Sequence, residues 1–209
     1  MMLLSLTASA GANVIYSGAS GCGKRVALTF DDGPHPYKTD KILDLLAEYD
    51  VRATFFVVGE NAEAYPEIVL REAAEGHEIG NHTYHHKRLS GNTAENDEIS
   101  ANSELIGKIT GKRPRLFRPP EGVYCSSALD AAKSAGCDVV LWNVDTRDWA
   151  LESTDSIVAN VKKNVKDGSI ILFHDMTRKG ANTLEALRTL VPYLIGEGYE
   201  LVTVSELIK

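Results

Sequence analysis

Four of the six histidines in this chain, His77, His82, His85 and His86, fall within one short stretch, and a bound metal ion accounts for that crowding more economically than packing does. On a helix or tight turn, His82 and His86 at i and i+4 project their rings to the same side, and His82 with His85 at i and i+3 does nearly as well. A third donor is available in the run Thr29-Phe30-Asp31-Asp32-Gly33-Pro34. Adjacent carboxylates repel each other unless a cation or an arginine compensates them. A solvated acidic turn is the plain alternative, but the apolar residues leading into it place this turn at the end of a buried strand. If one carboxylate joins the two histidines, the site has open positions for water or substrate, as in a catalytic rather than a structural zinc-like centre. The other aspartate is then free to act as a base.

Such residues matter only if distant parts of the chain bring them together. From Arg25 onward, short β-rich runs alternate with amphipathic helical stretches, the pattern of repeated βα units around a parallel sheet. Strands are predicted at Val26–Phe30, Ala53–Val57, His77–Gly80, Leu116–Phe117, Val139–Trp142, Ser169–Leu172 and Tyr199–Thr203. Thr39 or Asp40 caps a helix that turns Ile42, Leu43, Leu45 and Leu46 inward, and Ser126 caps one that Gly136 stops. Further helices are predicted over Pro66–Glu75, Ala94–Ile109, Ser153–Val165 and Thr183–Gly196. The expected fold is therefore α/β, a distorted or incomplete (β/α) barrel of about seven parallel strands in a single domain. An open doubly wound sheet is the alternative that periodicity does not separate from it. Asp31-Asp32 follow the first predicted strand, His82 and His86 the third, Arg118 the fourth, Asp145 and Asp148 the fifth, and His174-Asp175 the sixth. In a parallel barrel those ends share one mouth.

With 209 residues, 44% of them hydrophobic and 24% charged, the chain holds enough apolar material for one buried core and too few residues for two comfortable domains. No apolar stretch approaches the roughly 20 residues of a membrane-spanning helix. The net charge is -7 and the basic residues are scattered, which argues against a nucleic-acid partner. Cys22, Cys125 and Cys137 lie too far apart for a metal or redox motif. Cys125 and Cys137 flank a predicted helix and could pair under oxidising conditions, though small buried thiols are the commoner state. Met1–Leu6 is apolar and Ala8-Ser9-Ala10 has the form of a signal cleavage site, yet no Lys or Arg precedes it. The competing reading makes Asn13–Ser17 an edge strand. Residues 1–24 are thus read as an N-terminal segment and 25–209 as the catalytic domain.

Five separated runs carry a resemblance: Thr29-Phe30-Asp31-Asp32-Gly33, His82-Thr83-Tyr84-His85-His86, Arg118-Pro119-Pro120-Glu121-Gly122, Asp145-Thr146-Arg147-Asp148-Trp149 and Leu172-Phe173-His174. In this order they resemble the polysaccharide deacetylases of the NodB-homology type, carbohydrate esterase family four, over nearly the whole chain from Arg25 to Leu207. The resemblance implies removal of N-acetyl, or sometimes O-acetyl, groups from sugar polymers such as peptidoglycan, chitin or xylan. It implies one divalent metal, zinc first and cobalt or nickel as alternatives, held by Asp32, His82 and His86. Asp31 becomes the general base, His174 the general acid, Arg118 the residue that fixes the base, and Asp145 the partner that orients His174. Trp149 and Leu172 become the walls of an acetate pocket, with Pro120 beside them and the Glu121 backbone N–H as an oxyanion donor. Glu121 stands where Tyr is common in the family and Lys87 where Pro is frequent, so both departures touch the groove rim. His77 is expected to be structural, His35 to lie on the rim and His85 to point away from the metal. The resemblance also implies a place outside the cytoplasm, and the protein is expected to be a monomer.

Overall fold

The computed structural model describes residues 12–89, 94–176 and 182–209, with the backbone only for residues 94–96. The N-terminal apolar run and its small-residue triplet lie outside the described residues. The strands are β1 (Val14–Ile15), β2 (Arg25–Asp31), β3 (Thr54–Val57), β4 (Glu78–Asn81), β5 (Leu116–Phe117), β6 (Asp138–Val140), β7 (Val144–Asp145), β8 (Ile170–His174) and β9 (Glu200–Leu201). The helices are α1 (Lys38–Glu48), α2 (Gly59–Ala64), α3 (Pro66–Ala74), α4 (Ala94–Thr110), α5 (Ser126–Ser134), α6 (Thr154–Asn164), α7 (Thr183–Gly196) and α8 (Val204–Leu207).

The strands pair in parallel in the order β1-β6-β5-β4-β3-β2-β8-β7, with β9 beside the start of β2. This is the expected incomplete barrel, and the way it stays open involves a correction. The predicted strand over Val139–Trp142 stops at Val140, where β6 pairs with β1 and β5. After a break at residues 141–143 the chain resumes as β7, which pairs with β8 at the opposite end of the sheet. One stretch therefore supplies the edge strand β7 on one side of the opening and β6, next to the edge strand β1, on the other, and the Val140 and Leu141 carbonyls at the break accept hydrogen bonds from Arg118.

Alternation along β2 explains why a nearly continuous apolar run ends in chemistry. Val26, Leu28 and Phe30 face the helices and share a core with Ile42, Leu43, Leu46, Leu187 and Leu190, where Phe30 stacks on Phe55 at 4.9 Å. Ala27 faces the barrel interior with Phe56, Val140 and Ile170. Thr29 and Asp31 continue that inner face, so the strand delivers a carboxylate to the mouth. The sheet is floored by α8, whose Val204 and Leu207 join the inner cluster. That helix shortens the last predicted strand, because Thr203 and Glu206 close a capping box there. The helix predicted from Ser153 starts there, with the Ser153 side chain accepting from the Ser156 N–H as the cap of α6. The start of α1 differs: its N-cap is Tyr37, and Thr39 lies inside the first turn with its hydroxyl turned to Asp175. Likewise Ser126 is the first residue of α5 rather than its cap. Val14–Ile15 is the edge strand anticipated over Asn13–Ser17. No disulfide joins the three cysteines, and Cys137 is buried.

Candidate active site

Asp31 ends β2 and its Cα is in register with His174 at the end of β8. Neighbouring strands run about 4.8 Å apart, so the expected base and the expected acid stand side by side across one ladder step. Asp32 follows in the left-handed region with φ of 78°, a conformation that Asp tolerates better than most residues. The kink turns its carboxylate toward the loop after β4. There Asp32 Oδ1 lies 3.4 Å from His82 Nε2 and 3.0 Å from His86 Nε2. Among the described residues these three are the one group of His, Cys and acidic side chains able to share an ion, their donor atoms lying within 4.8 Å of one another.

Each donor is aimed by a neighbour. His82 Nδ1 lies 2.7 Å from the Arg118 carbonyl oxygen, which can only accept, so Nδ1 carries the proton and Nε2 presents its lone pair to the site. Burial would raise the Asp32 carboxyl, but hydrogen bonding to His82 and His86 overrides it and holds the group well below the usual carboxylate range. The hydrogen bond to Asp32 in turn raises His86.

The loop that carries both histidines bends through two further left-handed residues, Thr83 with φ of 66° and His86 with φ of 53°. Such positions cost of order 1–3 kcal/mol each and persist only where surrounding contacts over-determine them. Here the restraint is a buried amide network that the sequence reading missed. Asn81 Oδ1 accepts from the Thr83 N–H, and Asn81 Nδ2 donates to the Ile99 carbonyl and Ser103 Oγ on α4. Asn102 Nδ2 lies within reach of the carbonyls of Val57 and Thr83. Two consecutive polar residues on α4, Asn102 and Ser103, were the available signal. Asn102→Ala is expected to destabilise the fold by about 2 kcal/mol through buried carbonyls left unsatisfied, with a matching fall in melting temperature.

Arg118 is fully buried. Its Nη1 donates to Asp31 Oδ1 at 2.7 Å and to Thr29 Oγ1 at 2.8 Å, and its guanidinium stacks 4.1 Å from the Phe56 ring centroid. Burial lowers its pKa and Asp31 works against that, yet an arginine stays charged in such a setting. The expected pairing of Arg118 with the base is what the geometry shows.

The expected partner of His174 is not. Asp148, not Asp145, meets the ring: Asp148 Oδ1 lies 2.8 Å from His174 Nδ1, and Oδ2 accepts from the His174 N–H and from Thr183 Oγ1. Asp145 is in register with Leu172, two residues short of His174, and its carboxylate accepts instead from the Arg147 N–H and Trp149 Nε1. Left-handed Arg147 then reverses the chain and tucks Asp148 into complete burial behind β8. Burial would lower His174, but the Asp148 hydrogen bond and charge, with Asp31 and Asp32 beyond, push it up to about 9.

The remaining expected residues separate into rim and core. Trp149 is exposed at the mouth with the Arg147 guanidinium 5.7 Å from its ring, whereas Leu172 is only 2% exposed within β8. Pro120 is buried and Glu121, left-handed with φ of 59°, pairs with Arg88 at the rim. Lys87 reaches Glu98, which also accepts from the Tyr84 and His85 N–H groups and meets the His85 ring at 2.7 Å. His85 is thereby drawn away from the ligand trio. His77 is buried and its Nδ1 accepts from the Ala53 N–H, a structural role as anticipated. His35 Nδ1 accepts from the Tyr37 and Lys38 N–H groups in the turn before α1.

A carboxylate aimed by arginine, set beside an imidazole kept protonated by a second carboxylate, is the equipment of a hydrolase built at the mouth of a parallel barrel. Comparison narrows this class. The polysaccharide deacetylase profile matches residues 18–140. A peptidoglycan-N-acetylglucosamine deacetylase of Bacillus cereus is 44% identical over 192 residues, covering 89% of each chain. A chitooligosaccharide deacetylase of Bradyrhizobium is 38% identical over 206 residues, covering 92% of this chain and 94% of its own. A crystal structure of a peptidoglycan N-acetylglucosamine deacetylase superposes with a TM-score of 0.89 at 39% identity, covering 94% of this chain and 93% of that one. The chain belongs to the polysaccharide deacetylase family.

Proposed function

We propose that this protein removes N-acetyl groups from N-acetylhexosamine polymers, peptidoglycan or chitooligosaccharides, with one divalent ion held by Asp32, His82 and His86. The observation that carries the reading is the base and acid pair in register across β2 and β8, Asp31 on Arg118 and His174 on Asp148, beside the ligand trio. The donor set suits zinc first and cobalt or nickel as substitutes: two imidazoles, one with its tautomer set by a backbone carbonyl, and a carboxylate that both rings already face. When bound there, such an ion supplies Lewis acidity, polarising an acetyl carbonyl and making water more acidic.

The chain's own residues do the proton work. Arg118 engages Asp31 Oδ1, which leaves Oδ2, on the His82 side, to take the proton of the attacking water. His174 holds its Nδ1 proton on Asp148 and gives the Nε2 proton to the departing amine nitrogen as the C–N bond breaks. The Glu121 backbone N–H steadies the developing oxyanion, and Trp149 and Leu172 confine the acetyl methyl. An amine is a poor leaving group without that proton and an alcohol less so, which separates this reading from O-deacetylation of xylan on the same fold. The reading places a monomeric enzyme outside the cytoplasm, where peptidoglycan lies.

Acetate release from N-acetylglucosamine oligomers and from peptidoglycan is expected to vanish on chelation and return with added zinc or cobalt. Equal rates with and without chelator would overturn the metal mechanism. Release from acetylated xylan alone would move the activity to esters, and tight glycan binding with no release would leave a silent binding protein.

A further inference from the structure

Outside the ligand trio lie two buried carboxyl groups that the proposed reaction does not use, Asp175 beneath the Asp31–Pro34 turn and Glu72, whose charge neighbours are Asp175 and Asp40. Asp175 is 1% exposed. Its N–H donates to the Asp31 carbonyl at 3.2 Å, and its Oδ2 accepts from Thr39 Oγ1 at 2.6 Å. Thr39 Oγ1 in turn accepts from the His35 N–H at 2.8 Å, on the far side of the same turn. The carboxyl presses on Gly33 so closely that a Cβ there would fall 2.1 Å from Asp175 Oδ2 and 2.4 Å from Oδ1. Asp175 thus forms the seat on which the turn bearing Asp31 and Asp32 rests.

The remaining oxygen, Asp175 Oδ1, has no hydrogen-bond partner among the described residues, and neither does either oxygen of Glu72 on α3, which is fully buried. Among the described residues, the charged groups that face the pair are acidic: Asp40 on α1, Asp31 and Asp32 on the turn, and Asp175 toward Glu72. Arg71, next to Glu72, is committed to Asp40, Asp44 and Glu75. Two unpaired buried carboxylates would each cost several kcal/mol, whereas protonation turns acceptors that lack donors into donors in their own right.

We propose that Asp175 is a positioning residue that seats the turn of the base and the metal ligand, and that it does so as a neutral acid, with a neutral Glu72 as its buried neighbour. Burial and the surrounding carboxylates support this protonation, raising Glu72 well above its ordinary value and Asp175 to about 7. An acid whose folded pKa is raised from 3.8 gives stability that is complete below about pH 4, is lost as the pH rises through about 7, and changes little beyond.

The test compares wild type with Asp175→Asn, Asp175→Ala and Glu72→Gln in the full chain. Asp175→Asn copies the neutral acid, so its melting temperature should gain on wild type between about pH 4 and pH 7 and then hold level; Glu72→Gln should likewise gain on wild type as the pH rises. Zinc affinity, read by competition with a chromophoric chelator, should be near wild type in Asp175→Asn and about tenfold weaker in Asp175→Ala, with kcat falling in parallel and KM little changed. An Asp175→Asn variant as weak for zinc as Asp175→Ala, or a melting difference that is the same at every pH, would overturn the proposal. The inference rests on the hydrolytic reading only for kcat. A wild type that binds zinc but releases no acetate would sink that reading, while melting profiles and zinc affinity would still judge Asp175.

Discussion

Asp148→Asn is expected to lower kcat/KM on an N-acetyl substrate by about a hundredfold to a thousandfold, while Asp145→Asn costs less than about tenfold. The two aspartates stand three residues apart, and only one of them touches the ring of His174. Asp148 is wholly buried, accepts from the His174 backbone and from Thr183, and holds His174 Nδ1 at 2.8 Å. An amide in its place keeps the shape but removes the charge that offsets the burial of the imidazole, whose pKa would then fall below its ordinary 6.5. The acid would be largely deprotonated at neutral pH. Rate profiles should therefore show an alkaline limb near pH 9 in wild type displaced to the acid side in the variant. Stability should follow with the same sign. A histidine raised from 6.5 to about 9 contributes fully below pH 6.5 and loses that contribution as the pH rises through 9, so wild type should exceed Asp148→Asn most at mildly acidic pH. On an acetate ester the loss should shrink. A larger loss from Asp145→Asn than from Asp148→Asn would show that the ring has been assigned the wrong partner.

Arg118→Lys, conservative in charge, is expected to destabilise the protein by about 3 kcal/mol and to reduce kcat/KM at least a hundredfold. The guanidinium makes four separate donations, to Asp31, Thr29 and the carbonyls of Val140 and Leu141. Its flat face also lies against Phe56. An ammonium on a flexible stem cannot fill that fork while keeping the stacked face. Some of the fall in stability would come from Asp31, 3% exposed and poorly paired, and some from the two carbonyls at the break in the sheet. Zinc affinity should drop as well, because the Arg118 carbonyl sets the His82 tautomer and any shift of the backbone at residue 118 reaches His82, a proposed ligand, directly. Chemical denaturation and acetate release on the same preparation would test both effects; an Arg118→Lys variant with wild-type stability would show that the buried fork is dispensable.

Much of the site could be read before any coordinates because its parts are local. Asp32, His82 and His86 are adjacent in the chain to strands that periodicity reveals, and parallel strands deliver their ends to one face whatever the loops do. Residue type and spacing therefore brought the histidine cluster and the Asp31-Asp32 turn to one mouth of a parallel sheet, while the choice of Asp32, His82 and His86 and the parts given to Asp31 and His174 came from the family resemblance, and the apolar runs left a barrel and an open sheet unseparated. The partner of His174 depended on something else. Asp145 and Asp148 both follow the same strand, and the choice between them is made by a left-handed Arg147 and the register of Asp145 with Leu172, neither of which has a signature in residue type. The break after Val140 is similar, since an apolar run reads as one strand until two different neighbours claim its halves. The buried supports, Asn81 and Asn102 over the histidine loop and Asp175 with Glu72 under the aspartate turn, are polar residues whose meaning comes only from what encloses them. Sequence by itself determined which groups meet at the mouth, because backbone periodicity is a local property. Tertiary structure alone decided which carboxylate holds which ring, because a hydrogen bond a few ångströms long depends on where loops from separate strands come to rest.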